Sequence, residues 1–304
     1  MKVKEALVWG AKLLREADVE DARFEAEVLL RHVLSTSRAQ LYTEGNEPLP
    51  QEKQGRYTAL LFRRERGEPT AYLTGQKEFY GLDLLVDPRV LVPRPETELL
   101  VDLALKHLED RDAPRLSCRV ADIGTGSGAL AIALAINLPD AEVHATDISP
   151  KALEVAAANC CSHGVEDRVR LLHSDLLDPL PAPVDVLVCN PPYVPTAEMP
   201  ALPGEIREHE PAVALDGGPD GLDVVRRLLP QARGNLKPGG ASFVEIGYGQ
   251  AAHVSQLARN LFAGAEIELV KDLSGIERVL AIYAPATPEL EFIDAGVEAI
   301  TGYQ

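Results

Sequence analysis

From Arg119 to Ala284 the chain alternates short apolar runs with helical ones, and this alternation limits the possible folds more than any other feature. Arg119–Ile123, Glu142–Ile148, Val169–His173, Val184–Cys189 and Ala241–Ile246 read as strands. Residues 128–137, 150–163, 221–236 and 249–262 between them read as helices. Glu266–Lys271 and Arg278–Ala284 read as a closing strand pair. The fold class expected is α/β, with a doubly wound, Rossmann-like sheet that is parallel at its centre.

Two further segments precede it. Over residues 1–75, Val3, Leu7, Val8 and Leu14, then Phe24, Val28, Leu29 and Val33, recur at helical spacing, and Tyr57, Leu60 and Leu61 continue the pattern. Gly45 to Pro50 breaks the run into separate helices. A small N-terminal helical domain is expected, with no residue of catalytic character, and its separation from the chemistry makes it the expected dock for a substrate. Residues 76–98 read as a β-hairpin connector, with strands at Glu78–Val86 and Val90–Val92 around Asp87-Pro88. Pro93 to Glu98 opens a helix with Leu99, Leu100, Leu103 and Leu105 on its apolar side. The catalytic domain is expected over 99–285. The acidic tail at 286–304 has no assigned role.

Charge narrows the partners. A net charge of −17 disfavours a protein that grips nucleic acid by neutralising phosphates. The nearest basic run, Arg63-Arg64-Glu65-Arg66, reads as a solvated helix face. No apolar run approaches the ~18–20 residues that span a bilayer, and Glu5 interrupts the pattern a secretion signal would need. The four cysteines show no framework spacing, and none of the seven histidines has metal-ligand spacing. His107 reads as a helix-surface residue. A cytoplasmic protein without metal or membrane contact is expected.

The turn after the first strand of the alternation is Asp122-Ile123-Gly124-Thr125-Gly126-Ser127-Gly128. Glycines at a strand-to-helix turn let backbone N–H groups approach a ligand closely. The spacing G-x-G-x-G differs from the dinucleotide fingerprint. Asp122 would bring a carboxylate near the ligand, suited to a sulfonium or an amino group. Asp147 ends the second strand, at a distance suited to a ribose diol. Asp175 ends the third, where it could accept from an adenine amino group. Each acid alone could be a helix cap, and Ser149-Pro150 would itself serve as one. Together, at successive strand ends, they point to a nucleoside with a cationic amino-acid tail, hence S-adenosylmethionine.

Asn190-Pro191-Pro192-Tyr193 follows the fourth strand and emerges at the same sheet edge. The two prolines contribute carbonyls and no N–H, the Asn190 side chain adds an acceptor, and Tyr193 a flat face. Such a loop suits a planar –NH2, accepting its hydrogens and aiming its nitrogen at a methyl donor. A proline-rich turn after a buried strand is the plainer alternative.

Asp122–Gly128 with Asn190–Tyr193 is similar to the amino-methyltransferases that act on planar nitrogens, on adenine in DNA or on glutamine in proteins. Leu91-Val92-Pro93-Arg94-Pro95-Glu96-Thr97-Glu98 resembles the segment that precedes the catalytic domain in release factor glutamine methyltransferases, the HemK/PrmC family. Glu210-Pro211, Ala214–Gly218, Asp220-Gly221 and Glu245-Ile246-Gly247 resemble that family in the same order. The resemblance implies methyl transfer from S-adenosylmethionine, leaving S-adenosylhomocysteine, to the side-chain amide nitrogen (N5) of the glutamine in the Gly-Gly-Gln motif of class 1 peptide chain release factors. It implies a catalytic set of Asn190, Pro191, Pro192 and Tyr193, with Arg94 and Glu96 shaping the substrate side. The cofactor set is Asp122, Gly124, Thr125, Gly126, Gly128, Asp147, Ile148, Asp175, Leu176 and Asn190. Leu176 stands where an aromatic often flanks adenine, and His209 precedes Glu210 where an aromatic is common. Methylation of another protein's glutamine, as in a ribosomal protein, or of N6 of a nucleic-acid adenine, are the alternative activities. A cofactor-binding module without catalysis is a third reading.

Overall fold

The computed structural model describes residues 1–109, 118–178 and 180–286. The predicted tail from residue 287 onward lies outside them. Five helices come first: α1 (Val3–Glu16), α2 (Ala22–Leu34), α3 (Arg38–Thr43), α4 (Gln51–Glu65) and α5 (Thr70–Thr74). Leu14, Leu29, Leu30, Tyr57 and Leu61 form their core. Val8 and Phe24, expected in the apolar set, are exposed. Both share the helical period while facing outward, since a period alone does not say which way a helix is turned. Arg64 departs from the solvated face expected for it. It is buried, and its guanidinium pairs with Glu25 at 3.1 Å and with Glu205 at 2.8 Å, tying the helices to a segment 141 residues further on.

A hairpin follows, with β1 (Gln76–Phe79) antiparallel to β2 (Leu82–Leu85). Its turn is Tyr80-Gly81, not the expected Asp87-Pro88. Both residues have positive φ, 52° and 75°, as a two-residue hairpin turn with the twist of its strands requires. Val90 and Val92 form no strand. They are apolar because they pack on Ala152 and Val155.

α6 (Glu98–Glu109) buries Leu100, Val101, Ala104 and Leu108, a face rotated slightly from the predicted one, with Leu99, Leu103 and Leu105 at its margin. His107 lies against the rings of Phe243 (6.2 Å between centroids) and Tyr283 (5.6 Å) rather than on the helix surface. The alternation then runs β3 (Arg119–Ile123), α7 (Ala129–Asn137), β4 (Glu142–Asp147), α8 (Pro150–Ser162), β5 (Val169–His173), β6 (Val184–Cys189), α9 (Gly204–His209), α10 (Asp223–Asn235), β7 (Leu236–Glu245), α11 (Ala251–Leu261), β8 (Glu266–Lys271) and β9 (Glu277–Tyr283).

The sheet order is β5-β4-β3-β6-β7-β9-β8, parallel except for β9, which runs antiparallel to β7 and β8. Successive residues of β6 serve opposite faces. Val186 and Val188 pack with α6 and α7, while Leu187 and Cys189 pack with α10 and α11. A strand covered on both faces is mostly apolar, which is why β3 and β6 are apolar apart from Arg119, Asp122 and Asp185. β3 connects outward to β4 on one side and pairs with β6 on the other. That reversal opens a crevice at the C-terminal strand ends. Among the described residues no helix is long and apolar enough to cross a membrane.

Candidate active site

A cavity of about 570 Å³ lies in this crevice. Of the predicted residues, Gly124, Gly126, Asp147, Ile148, Asp175, Leu176, Asn190, Pro191 and Pro192 line it; Asp122, Thr125, Gly128, Tyr193, Arg94 and Glu96 do not.

The glycine loop supplies one wall. Gly124 and Gly126 have φ of 75° and 56°, and a Cβ on either would meet no other atom of the chain within 4 Å, so space for a ligand stands directly beside the backbone. Asp147 shapes the loop from β4. Its Oδ2 accepts from the Gly126 N–H at 2.9 Å and its Oδ1 from the Ser149 N–H at 2.8 Å. Burial raises its pKa against those two bonds. Ser149 caps α8 by accepting from the Ala152 N–H. Asn159, not singled out by its sequence, accepts from the Leu85 N–H and donates to the Leu85 and Ser127 carbonyls, binding the hairpin to the loop.

Asp122 is not a wall residue. It is fully buried, and its Oδ2 accepts from the Thr125 hydroxyl at 2.6 Å and from the Ala131 N–H at 3.1 Å. It faces the loop's interior and braces the turn into α7. Burial pushes its pKa up to about 7 despite those bonds. Thr125 is likewise consumed by this brace, and Gly128 caps α7 in the left-handed region at φ 85°. Asp175 is exposed on the cavity rim, where its carboxylate is paired with Arg227. Leu176 beside it has φ 63°, a conformation that costs a non-glycine residue of order 1–3 kcal/mol.

The opposite wall is the Asn190–Tyr193 loop, held by distant residues. The Asn190 Nδ2 donates to the Thr97 hydroxyl at 3.1 Å, and that hydroxyl donates to Glu245 at 2.7 Å. Glu245 is buried, which raises its pKa to about 7. Tyr193 turns away from the cavity toward Glu245, and burial first, then this carboxylate, pushes its pKa up to about 12. A flat face toward the cavity is therefore absent at this position. The Tyr193 carbonyl accepts from the Gln250 side chain at 3.0 Å. Val194 N–H donates to the Leu215 carbonyl and Gly217 N–H to the Val194 carbonyl. A Cβ on Gly217 would stand 2.7 Å from the Pro192 carbonyl oxygen, so only glycine lets this strap lie against the loop. Among the described residues nothing donates to the Pro191 carbonyl.

Arg94 reaches Glu210 at 2.5 Å, and Glu210 also accepts from the Val92 N–H. Glu96 is exposed and near enough to Glu245 to raise its pKa further. These two charges thus act behind the wall. Thr97, Glu245, Glu210 and Gln250 had no role in the sequence reading, although Thr97, Glu210 and Glu245 lie inside the family-like segments.

A crevice at the switch point, a glycine loop under a strand-end aspartate and an Asn-Pro-Pro-Tyr wall define a Rossmann-like methyltransferase. Residues 97–202 match the family described as "Methyltransferase small domain", and residues 5–75 match "PrmC N-terminal domain". The fold resembles the hMettl16 catalytic domain, at a TM-score of 0.53, 15% identity and coverage of 79% of this chain and 83% of that one. Relatives similar over nearly their whole length are the release factor glutamine methyltransferases of Moorella thermoacetica (45% identical, 93% of this chain and 99% of the relative) and Geobacter sulfurreducens (42%, 91% and 95%). That of Rhodopirellula baltica is 41% identical over 92% of this chain and 95% of its own. The chain belongs to the release factor glutamine methyltransferase family.

Proposed function

We propose that this enzyme methylates the side-chain amide nitrogen (N5) of the glutamine in the Gly-Gly-Gln motif of class 1 peptide chain release factors, using S-adenosylmethionine. The observation that carries the reading is the wall at Asn190 and Pro191. Its carbonyl oxygens stand at the cavity without committed donors, opposite the glycine loop. The residues around Gly124, Gly126 and Asp147 fit a nucleoside with an amino-acid tail, and Asp147 suits the ribose hydroxyls. When bound, the cofactor supplies an electrophilic methyl on a sulfonium.

An amide nitrogen is a poor nucleophile because its lone pair is delocalised. The Asn190 Oδ1 and the Pro191 carbonyl accept its two hydrogens, which returns electron density to nitrogen and aims it. Positioning of this kind reaches effective molarities of ~10⁵–10⁸ M in ideal cases. With the cofactor bound, the nitrogen would take the methyl as the carbon–sulfur electron pair goes to sulfur, and the N–H proton, acidic only as the new bond forms, would pass to solvent. No strong base is needed. Tyr193 acts from behind, through Glu245, rather than as a stacking surface. The helical domain over 1–75 docks the body of the factor, the connector over 76–98 sets Arg94 and Thr97, and catalysis resides in 99–285.

Radiolabelled methyl transfer to a purified release factor tests this. Label is expected on the factor and not on one whose motif glutamine is changed to alanine; equal labelling of the two, or labelling of duplex DNA alone, overturns the reading. A short Gly-Gly-Gln peptide in the same assay is expected to show a higher KM at similar kcat. An equal KM removes the docking role.

A further inference from the structure

Resting on the reading of Asn190 as the holder of the substrate amide, we propose that Thr97 is a positioning residue. Its hydroxyl, fixed by Glu245, turns the Asn190 side chain so that oxygen, not –NH2, faces the cavity. An asparagine amide is nearly symmetric in shape, and half a turn exchanges an acceptor for two donors. Shape alone cannot choose between the two states. With –NH2 outward, Asn190 would oppose the substrate –NH2 with more donors and could not hold it.

The neighbours make the choice. Above about pH 7 Glu245 is ionised and only accepts, so it draws the single hydrogen of Thr97, at 2.7 Å. What the Thr97 oxygen then shows to Asn190 is a lone pair. Only the amide nitrogen can answer it, at 3.1 Å. Polarity thus passes from acceptor to donor along Glu245, Thr97 and Asn190, and ends with an acceptor at the cavity. The same carboxylate lies close enough to Tyr193 to raise the pKa of its hydroxyl, so Glu245 acts on both ends of the Asn190–Tyr193 loop. Thr97 is buried, and its N–H donates to the Arg94 carbonyl, which sets the hydroxyl rigidly. The charged groups around Glu245 are Arg278, which favours its ionised form, and Glu96, which opposes it.

The test compares Thr97→Val, which removes the hydroxyl, with Thr97→Ser, which keeps it, in the full chain. Thr97→Val is expected to lower kcat about 10- to 100-fold, with the KM for the release factor and the cofactor Kd changed less than about threefold. Thr97→Ser is expected to stay within about threefold of the parent. The side-chain –NH2 signal of Asn190, identified in nitrogen-15 spectra by its loss in Asn190→Asp, is expected to move in Thr97→Val and return in Thr97→Ser. If Thr97→Val does not fold, Thr97→Ala is read in the same way. An unchanged kcat, an unmoved Asn190 signal, or equal losses in the valine and serine variants overturns the proposal. Should the parent transfer no methyl to a release factor, the functional reading fails, and the –NH2 signal still decides the role of Thr97.

Discussion

On the glycine-loop side of the cleft, the Asp122 carboxylate is met by Thr125 and Ala131, and the Asp147 carboxylate by Gly126 and Ser149. Every partner lies within about one βαβ unit. On the Asn190 side, the loop is met by Thr97, Gly217, Gln250 and, through Thr97, Glu245. Gly217 is near in sequence, but Thr97, Gln250 and Glu245 come from segments more than 50 residues away, in the connector and in the second half of the sheet. A wall built from neighbouring residues can be shared by any methyltransferase of this fold. A wall assembled across the chain depends on how that whole chain folds, which suits it to the substrate role proposed for it.

Breaking the distant wall at its tip has the largest expected effect. Asn190→Ala should lower kcat by about 10²–10³-fold, as removal of one well-aimed polar group does in other sites, while cofactor affinity by calorimetry stays within about threefold. Retained transfer would remove the division of labour between the walls. On the local wall, Asp147→Ala should weaken cofactor binding about 10- to 100-fold, the worth of a hydrogen bond to a charged group. Calorimetry checks it, and unchanged affinity would take the ribose away from Asp147.

The smallest effect sharpens the role of Asp122 as a brace. Its folded pKa is about 7, against an ordinary 3.8. Between those values the folded chain keeps a proton that the unfolded chain has lost, so this group's contribution to stability falls as pH rises from about 4 to 7 and is level above. Asn at this position cannot titrate. The stability of Asp122→Asn relative to the parent, from urea unfolding without cofactor, should therefore rise across that window. A pH-independent difference would contradict the raised pKa of this buried carboxyl.

The same contrast explains what could be read in advance. The glycine turn and the acids at 147 and 175 each lie within a residue or two of a strand end, so the sheet and the residues of the local wall are legible in the sequence. Asp122 was read as a ligand carboxylate because its place before the glycines says nothing of its direction; the Ala131 N–H turns it inward. Proline marks turns, which points the sequence reading to Asp87-Pro88, whereas Tyr80 adopts positive φ without a compositional cue. Thr97 and Glu245 are 148 residues apart. No spacing rule links them, and only the pairing of β7 beside β6 brings the carboxylate under the loop.

That pairing also sets an order in time. Chains emerge from the ribosome N-terminus first and fold as sequence becomes available. Once β6 and the helix carrying Arg227 are out, the acids of the cofactor wall have all been made. Glu245 and Gln250 come later, and β9, which flanks β7, later still. A nascent chain halted before residue 245 carries the complete Asn190–Tyr193 loop and lacks the carboxylate from which it hangs. The Asn190 wall is thus the last part of the cleft to be completed as the polypeptide grows.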